Sequence, residues 1–204
     1  LTATTSGDGA RNDPLPLRRR GRVLEQAIFE ATLDQLVNTG YARLSMEAVA
    51  VGARTGKAAI YRRWASKEEL VLDTLRATLP QPGPAPDLGS LRDDLLELVL
   101  RMRAAMVSVP GCAGRAIMSE LDHERARPFV GLMHQRLIEP SKALMTEVLR
   151  RGVERGEVRP GAATPLIADI APALMMYRSK MLGPPTEQDA VAVVDQVLLP
   201  AVRA

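Results

Sequence analysis

The run Pro80–Gln81–Pro82–Gly83–Pro84–Ala85–Pro86 sets four prolines at alternate positions, a pattern no helix accommodates because each proline removes a backbone donor and clashes with the preceding turn. On both sides of this break, apolar residues recur at helical spacing. Before it, Leu24, Ile28, Phe29, Leu33 and Leu36 follow the 3.6-residue period, and Gly40 stands where a C-terminal cap is expected. No segment alternates with period 2, and no internal repeat is present. The chain is therefore expected to be all-α, with about nine helices divided by the proline-rich run. Its 204 residues, 46% of them hydrophobic, suffice for one core and a smaller second one. The expected organisation is a disordered leader over 1–17, a first helical unit over 18–79, a linker over 80–89 and a second helical unit over 90–204.

Local signals place the helices. Ser45 is an N-cap candidate for a short helix carrying Met46, Val49, Ala50 and Ala53. Arg54–Thr55–Gly56 breaks it, and Lys57 to Trp64 forms a third. Ser66 caps a fourth that runs to about Leu79, with Glu68 and Glu69 in its first turn where the helix dipole favours them. Beyond the linker, one helix is expected from Ser90 to about Val109, ended by Pro110–Gly111. A second covers about Cys112 to Arg125. A third starts near Pro128 and reaches Gly152 or Gly156, kinked at Pro140. The last two span Thr164–Leu182, with Pro172 inside, and from the Thr186 cap to about Pro200.

The net charge of +3 is unevenly spread. Arg11 to Arg63 holds ten basic and five acidic residues, whereas Trp64 onward holds 17 basic and 18 acidic. A basic first third on a neutral body suits polyanion binding at one end. The single Cys112 excludes an internal disulfide framework and fits a reducing cytoplasm, where it is read as a small core residue. No apolar run approaches the roughly 20 residues needed to span a bilayer, so no membrane association is expected. Asp122–His123–Glu124 is the one cluster that suggests a metal or acid–base site. Three consecutive helical residues point in different directions, so it is read as a hydrophilic helix end. With no phosphate loop, metal-ligand spacing or nucleophile motif, neither an enzyme nor a bound cofactor or metal is expected.

Two short helices joined by a tight turn after a longer helix form a helix-turn-helix. Gly56, Lys57, Ala58 and Ala59 give its third helix a small leading edge, Tyr61, Arg62 and Arg63 reach outward, and Ile60 and Trp64 face the core. The run Gly40–Tyr41–Ala42–Arg43–Leu44–Ser45–Met46–Glu47–Ala48–Val49–Ala50, followed by Lys57–Ala58–Ala59–Ile60–Tyr61–Arg62–Arg63–Trp64–Ala65–Ser66–Lys67–Glu68–Glu69–Leu70, resembles the DNA-binding domain of the TetR family. More weakly, Gly152 to Pro160 resembles the turn after that family's long middle helix. The resemblance implies a homodimeric transcriptional regulator, a repressor released by a small apolar or amphipathic effector, bound to a palindromic double-stranded operator. It implies DNA contacts from Arg43, Ser45, Thr55, Gly56, Lys57, Ala58, Tyr61, Arg62 and Lys67. Within that set Ser45, Tyr61, Arg62 and Lys67 serve phosphates, and Lys57 and Ala58 lie nearest the bases. Arg18, Arg19, Arg20 and Arg22 would reach a neighbouring phosphate or the minor groove.

Three positions depart from the family pattern. Arg54 stands where glycine is common and the chain turns left-handed, which implies strain of roughly 1–2 kcal/mol. Thr55 replaces a usual apolar residue, and Ala59 a usual hydroxylated one. In the second half, eight methionines suit an adaptable apolar pocket, although most are ordinary core. By analogy the pocket candidates are Met102, Met106, Phe129, Met133, His134, Met175 and Arg178, and Thr164–Leu182 with Thr186–Val202 form the dimer interface. The alternative is a helical protein-interaction module without ligand gating.

Overall fold

The computed structural model describes residues 21–203. The leader 1–17 and Arg18, Arg19 and Arg20 lie outside the described residues. Among the described residues nine helices account for the architecture: α1 (Gly21–Arg43), α2 (Met46–Gly52), α3 (Lys57–Tyr61), α4 (Lys67–Thr78), α5 (Leu91–Val107), α6 (Val109–Glu120), α7 (residues 123–154), α8 (Pro165–Met181) and α9 (residues 187–202). The nearest approach to a strand among the described residues is an isolated bridge between Val158 and Arg203. The expected caps form. The Ser45, Ser66 and Thr186 hydroxyls accept from Ala48, Glu69 and Asp189 amides, and the Asp189 carboxylate accepts from the Thr186 amide in turn, completing a capping box.

Three expectations are corrected. Pro110–Gly111 does not end α5 but lies in the first turn of α6, which Ser108 caps by accepting from the Gly111 amide. Proline there gives up an amide that has no helical partner in any case. A Cβ on Gly111 would stand 2.2 Å from the Ala105 carbonyl, so this sharp corner requires glycine. Asp122–His123–Glu124 is likewise a helix start: Asp122 caps α7, which begins at His123 rather than near Pro128. Pro140 does not simply kink α7. It follows a π-helical turn at His134–Ile138, and the same arrangement recurs in α9, where Val194–Leu198 precedes Pro200.

Two apolar clusters hold the fold. The first takes Leu24, Ile28, Leu36, Val49, Ile60, Trp64 and Leu70 from α1–α4 and extends past the proline run to Ala113, Ile117, Phe129 and Leu132 of α6 and α7. The second joins α5 and the later part of α7 to α8 and α9 through Leu95, Met145, Leu149, Met175, Val194 and Leu198. Each large-to-small change at such sites costs about 2–5 kcal/mol. The proline-rich run is strapped to the second unit. Arg101 donates to the Pro84 carbonyl (2.7 Å) and Arg151 to that of Pro86 (2.8 Å). The fully buried Asp94 carboxylate accepts from the Leu88 amide (2.6 Å) and from Arg155 (3.0 Å).

Candidate nucleic-acid interface

The reading unit is built by the turn between α2 and α3. The Arg54 amide donates to the Val51 carbonyl (3.0 Å) and the Thr55 amide to that of Ala50 (2.9 Å). These are the paired bonds of a Schellman ending, in which the residue after the cap is left-handed. That residue is Arg54, at φ 54°, the one non-glycine residue with positive φ among those described. The left-handed conformation anticipated at this position is thus present. The turn aims α3 across α2, and Ile60 and Trp64 anchor it from below. The Trp64 ring lies 5.9 Å from that of Phe29, and its indole N–H donates to Asp73 (3.0 Å).

This anchoring leaves Gly56, Lys57, Ala58, Tyr61 and Arg62 exposed, while Thr55 is half-buried beside them. Arg43 is exposed on the approach to α2, and Ser45 is half-buried at its cap. Two residues lie otherwise than expected. Ala59 is buried, so it belongs to the underside of α3 and not to its leading edge. Lys67 is half-buried: its ammonium donates to the carbonyls of Tyr41 (2.9 Å) and Ala42 (3.3 Å) and lies 4.6 Å from the Tyr41 ring centre. It ties α4 to the end of α1, a different use from the phosphate contact expected of it. Arg22, the one described member of the basic cluster, is exposed at the start of α1.

Sequence reading left Glu47 out of the interface. Its carboxylate forms an ion pair with Lys57, whose ammonium also lies 5.3 Å from the Tyr61 ring centre. The Lys57 hydrogen bond holds the Glu47 carboxyl below the usual carboxylate range, and Glu47 raises the Lys57 ammonium in return.

The interface is joined to the second unit at the end of α1. Gly40, at φ 82° and ψ 170°, occupies a region essentially reserved for glycine. Directly beyond it the Glu120 carboxylate, at the end of α6, accepts the amides of Tyr41 (3.1 Å) and Ala42 (2.7 Å). A Cβ on residue 40 would stand 2.0 Å from that carboxylate, so only glycine lets it close. The Tyr41 ring packs edge-on against Phe129, and burial, reinforced by Glu68, pushes its hydroxyl up.

The seven pocket candidates are not brought together. Phe129 and Met133 belong with the first apolar cluster, whereas Met102, Met106 and Met175 belong with the second. His134 is exposed, 3.4 Å from Glu139, and Arg178 is bonded to Asp189. Two surface concavities, of about 440 Å³ along the start of α1 and about 340 Å³ between the start of α5 and the end of α9, are lined by none of them.

Comparison with known proteins adds relatives to this geometry. Residues 28–74 match the family described as bacterial regulatory proteins, tetR family, and residues 85–197 match the tetracyclin repressor-like C-terminal domain. The chain is 38% identical over 193 residues to the HTH-type transcriptional regulator Rv1556 of Mycobacterium tuberculosis, covering 93% of this chain and 91% of the relative. It is 30% identical over 187 residues to the DNA-binding transcriptional repressor TetR of Mycobacteroides abscessus, covering 90% and 96%. Among solved structures, a TetR-family regulator from Mesorhizobium loti superposes with a TM-score of 0.65 at 16% identity, over 91% of this chain and all of that one, a likeness of fold.

Proposed function

The chain belongs to the TetR family of bacterial regulatory proteins and is a DNA-binding transcriptional regulator, and from that premise we propose that it is a dimeric, cytoplasmic repressor whose hold on a palindromic operator is released by a small apolar or amphipathic effector. Regulators of this family bind DNA operators, dimerise and respond to small molecules; they are not enzymes. Among the described residues no helix is long and apolar enough to cross a membrane. The observation that carries the reading is the edge built by the α2–α3 turn, small at Gly56 and Ala58, cationic at Lys57 and Arg62, and anchored by the buried Ile60 and Trp64.

On this reading the Arg43, Thr55, Tyr61 and Arg62 side chains and the amides at the Ser45 and Gly56 helix starts hold phosphates. Lys57 and Ala58 approach the base edges. Lys67 acts indirectly, by fixing the end of α1. Dimerisation runs through α8 and α9. Leu166, Met176, Tyr177, Met181 and Leu182 are exposed along α8, opposite the buried Ala168, Ala171 and Met175, and Val191 and Val197 extend the apolar face onto α9. Exposed apolar residues of this kind are what a second copy would cover.

The effector is proposed to enter among α5–α8, beside the methionines, by opening the packing between the two clusters. α6 then carries its displacement to the head, because Glu120 grips the Gly40–Ala42 turn immediately before Arg43 and Ser45. An effector that favours one packing shifts the separation of the two reading heads, and affinity falls with it. The test is selection of duplexes from a random pool by the purified chain. A palindrome with half-sites about 34–36 Å apart, or a multiple of it, supports the reading; sequence-blind retention refutes it. Titrating the selected complex with a panel of apolar compounds then tests gating, and unchanged affinity across the panel removes the effector.

A further inference from the structure

Between Ser45 and Trp64 the chain carries four cations, Arg54, Lys57, Arg62 and Arg63, and a single carboxylate, Glu47. That carboxylate does not lie off to one side. It sits in the first turn of α2 and is ion-paired with Lys57, the first residue of α3, with both side chains more than half exposed. The helix dipole favours an acid in the first turn of α2, yet it does not require one that reaches the recognition helix. An exposed ion pair adds little stability. A carboxylate on a surface that meets phosphates also opposes binding through like-charge repulsion. Its position is best used where it meets a hydrogen-bond donor when DNA arrives.

The major groove offers such a donor beside a partner for the lysine. Guanine presents two adjacent acceptors, O6 and N7, and its cytosine partner presents the N4 amino group. A lysine ammonium and a carboxylate held side by side complement that pair: Lys57 donates to guanine while Glu47 accepts from cytosine. An A·T pair fits less well, because adenine offers the lysine one acceptor, N7, where guanine offers two, and thymine sets its O4 acceptor and methyl where cytosine presents its amino donor. The carboxylate also restrains a flexible lysine that would otherwise swing to the nearest phosphate. We propose that Glu47 and Lys57 together form a reader for one G·C pair in each operator half-site, with Glu47 as a specificity-determining residue. The proposal rests on the DNA-binding reading above and names what its tip recognises.

The experiment compares random-pool selections by the full chain and its Glu47→Ala, Glu47→Gln and Lys57→Ala variants. The unaltered chain should enrich a G·C pair at one fixed position of each half-site. Glu47→Ala and Lys57→Ala should both relax that position, by about tenfold in discrimination, and leave the other positions unchanged. Glu47→Gln should move the preference there toward adenine, which glutamine pairs through N6 and N7. If Glu47→Ala tightens binding evenly on every sequence and the selected site is unchanged, Glu47 only tempers charge and the proposal falls alone. If the unaltered chain enriches no site, the DNA reading falls and this proposal with it.

Discussion

Two joints connect the head, α1–α4, to the rest of the molecule, and they are built from opposite materials. The covalent joint, residues 80–89, is bound to α5 and α7 of the second unit: Arg101, Arg151 and Arg155 hold its carbonyls and its Asp87, and the fully buried Asp94 holds its Leu88 amide. The non-covalent joint is the apolar packing of α1 and α4 on α6 and α7, with an exposed carboxylate, Glu120, resting on two amides beyond a glycine. The strap therefore behaves as part of the body, and motion reaches the head through helix contacts. Removing a buried charge partner costs several kcal/mol, whereas removing an exposed acceptor costs about one. Of the two polar holds the Glu120 contact is the weaker, as expected of an element that must change state.

The contrast can be broken at either joint. Asp94→Ala should have the largest effect, a loss of about 4 kcal/mol in chemical denaturation, because it strands the Leu88 amide and part of the Arg155 guanidinium. DNA affinity of the folded fraction should be unchanged; a parallel fall would give the strap a share in signalling. Gly40→Ala should cost about 2 kcal/mol from the backbone alone and should also weaken DNA binding. Adding Glu120→Ala to it should recover the part due to the clash, so additive losses would show that the carboxylate does not close on this turn. Arg54→Gly tests strain inside the head, away from both joints. It should add about 1 kcal/mol and raise Tm by roughly 2–4 °C, and an unchanged Tm would mean the left-handed turn is not strained. Glu120→Gln should be the mildest, below about 1 kcal/mol, but amide exchange at Tyr41 and Ala42 should quicken. Unchanged exchange there would remove Glu120 from the route between effector and head.

Much of this was legible in the sequence wherever the signal was local. The Ser45, Ser66 and Thr186 caps, the all-helical pattern and the left-handed turn at Arg54 depend on neighbours a few residues away, and each was anticipated. Pro110–Gly111 was misread because proline and glycine end helices as readily as they begin them. The deciding contact is the Ser108 hydroxyl, whose role depends on the angle between α5 and α6. The family resemblance implies a phosphate contact for Lys67, whereas in the folded chain its ammonium is held by the carbonyl of Tyr41, 26 residues away. Ala59 was given to the reading edge by its place in the run, and only the tilt of α3 over α2 decides that it faces inward. The Glu47–Lys57 pair was missed for a related reason: the nine residues between them include the turn that folds one helix start onto the other.

The two π-helical turns have a consequence for how the long helices keep phase. A π-turn holds one residue more than an α-turn, so whatever follows is rotated by about 100° relative to an uninterrupted helix. In α7 the turn at His134–Ile138 falls between Ala126, Phe129 and Leu132, which are buried with or beside the head, and Met145, Val148 and Leu149, which are buried with the body. One rod thus serves two cores, and a single residue sets the angle between them. Deleting one residue from 134–138 would leave a helix of almost the same length with its two apolar stripes out of step, so the chain's tolerance of length change should be lower in this turn than in any exposed loop.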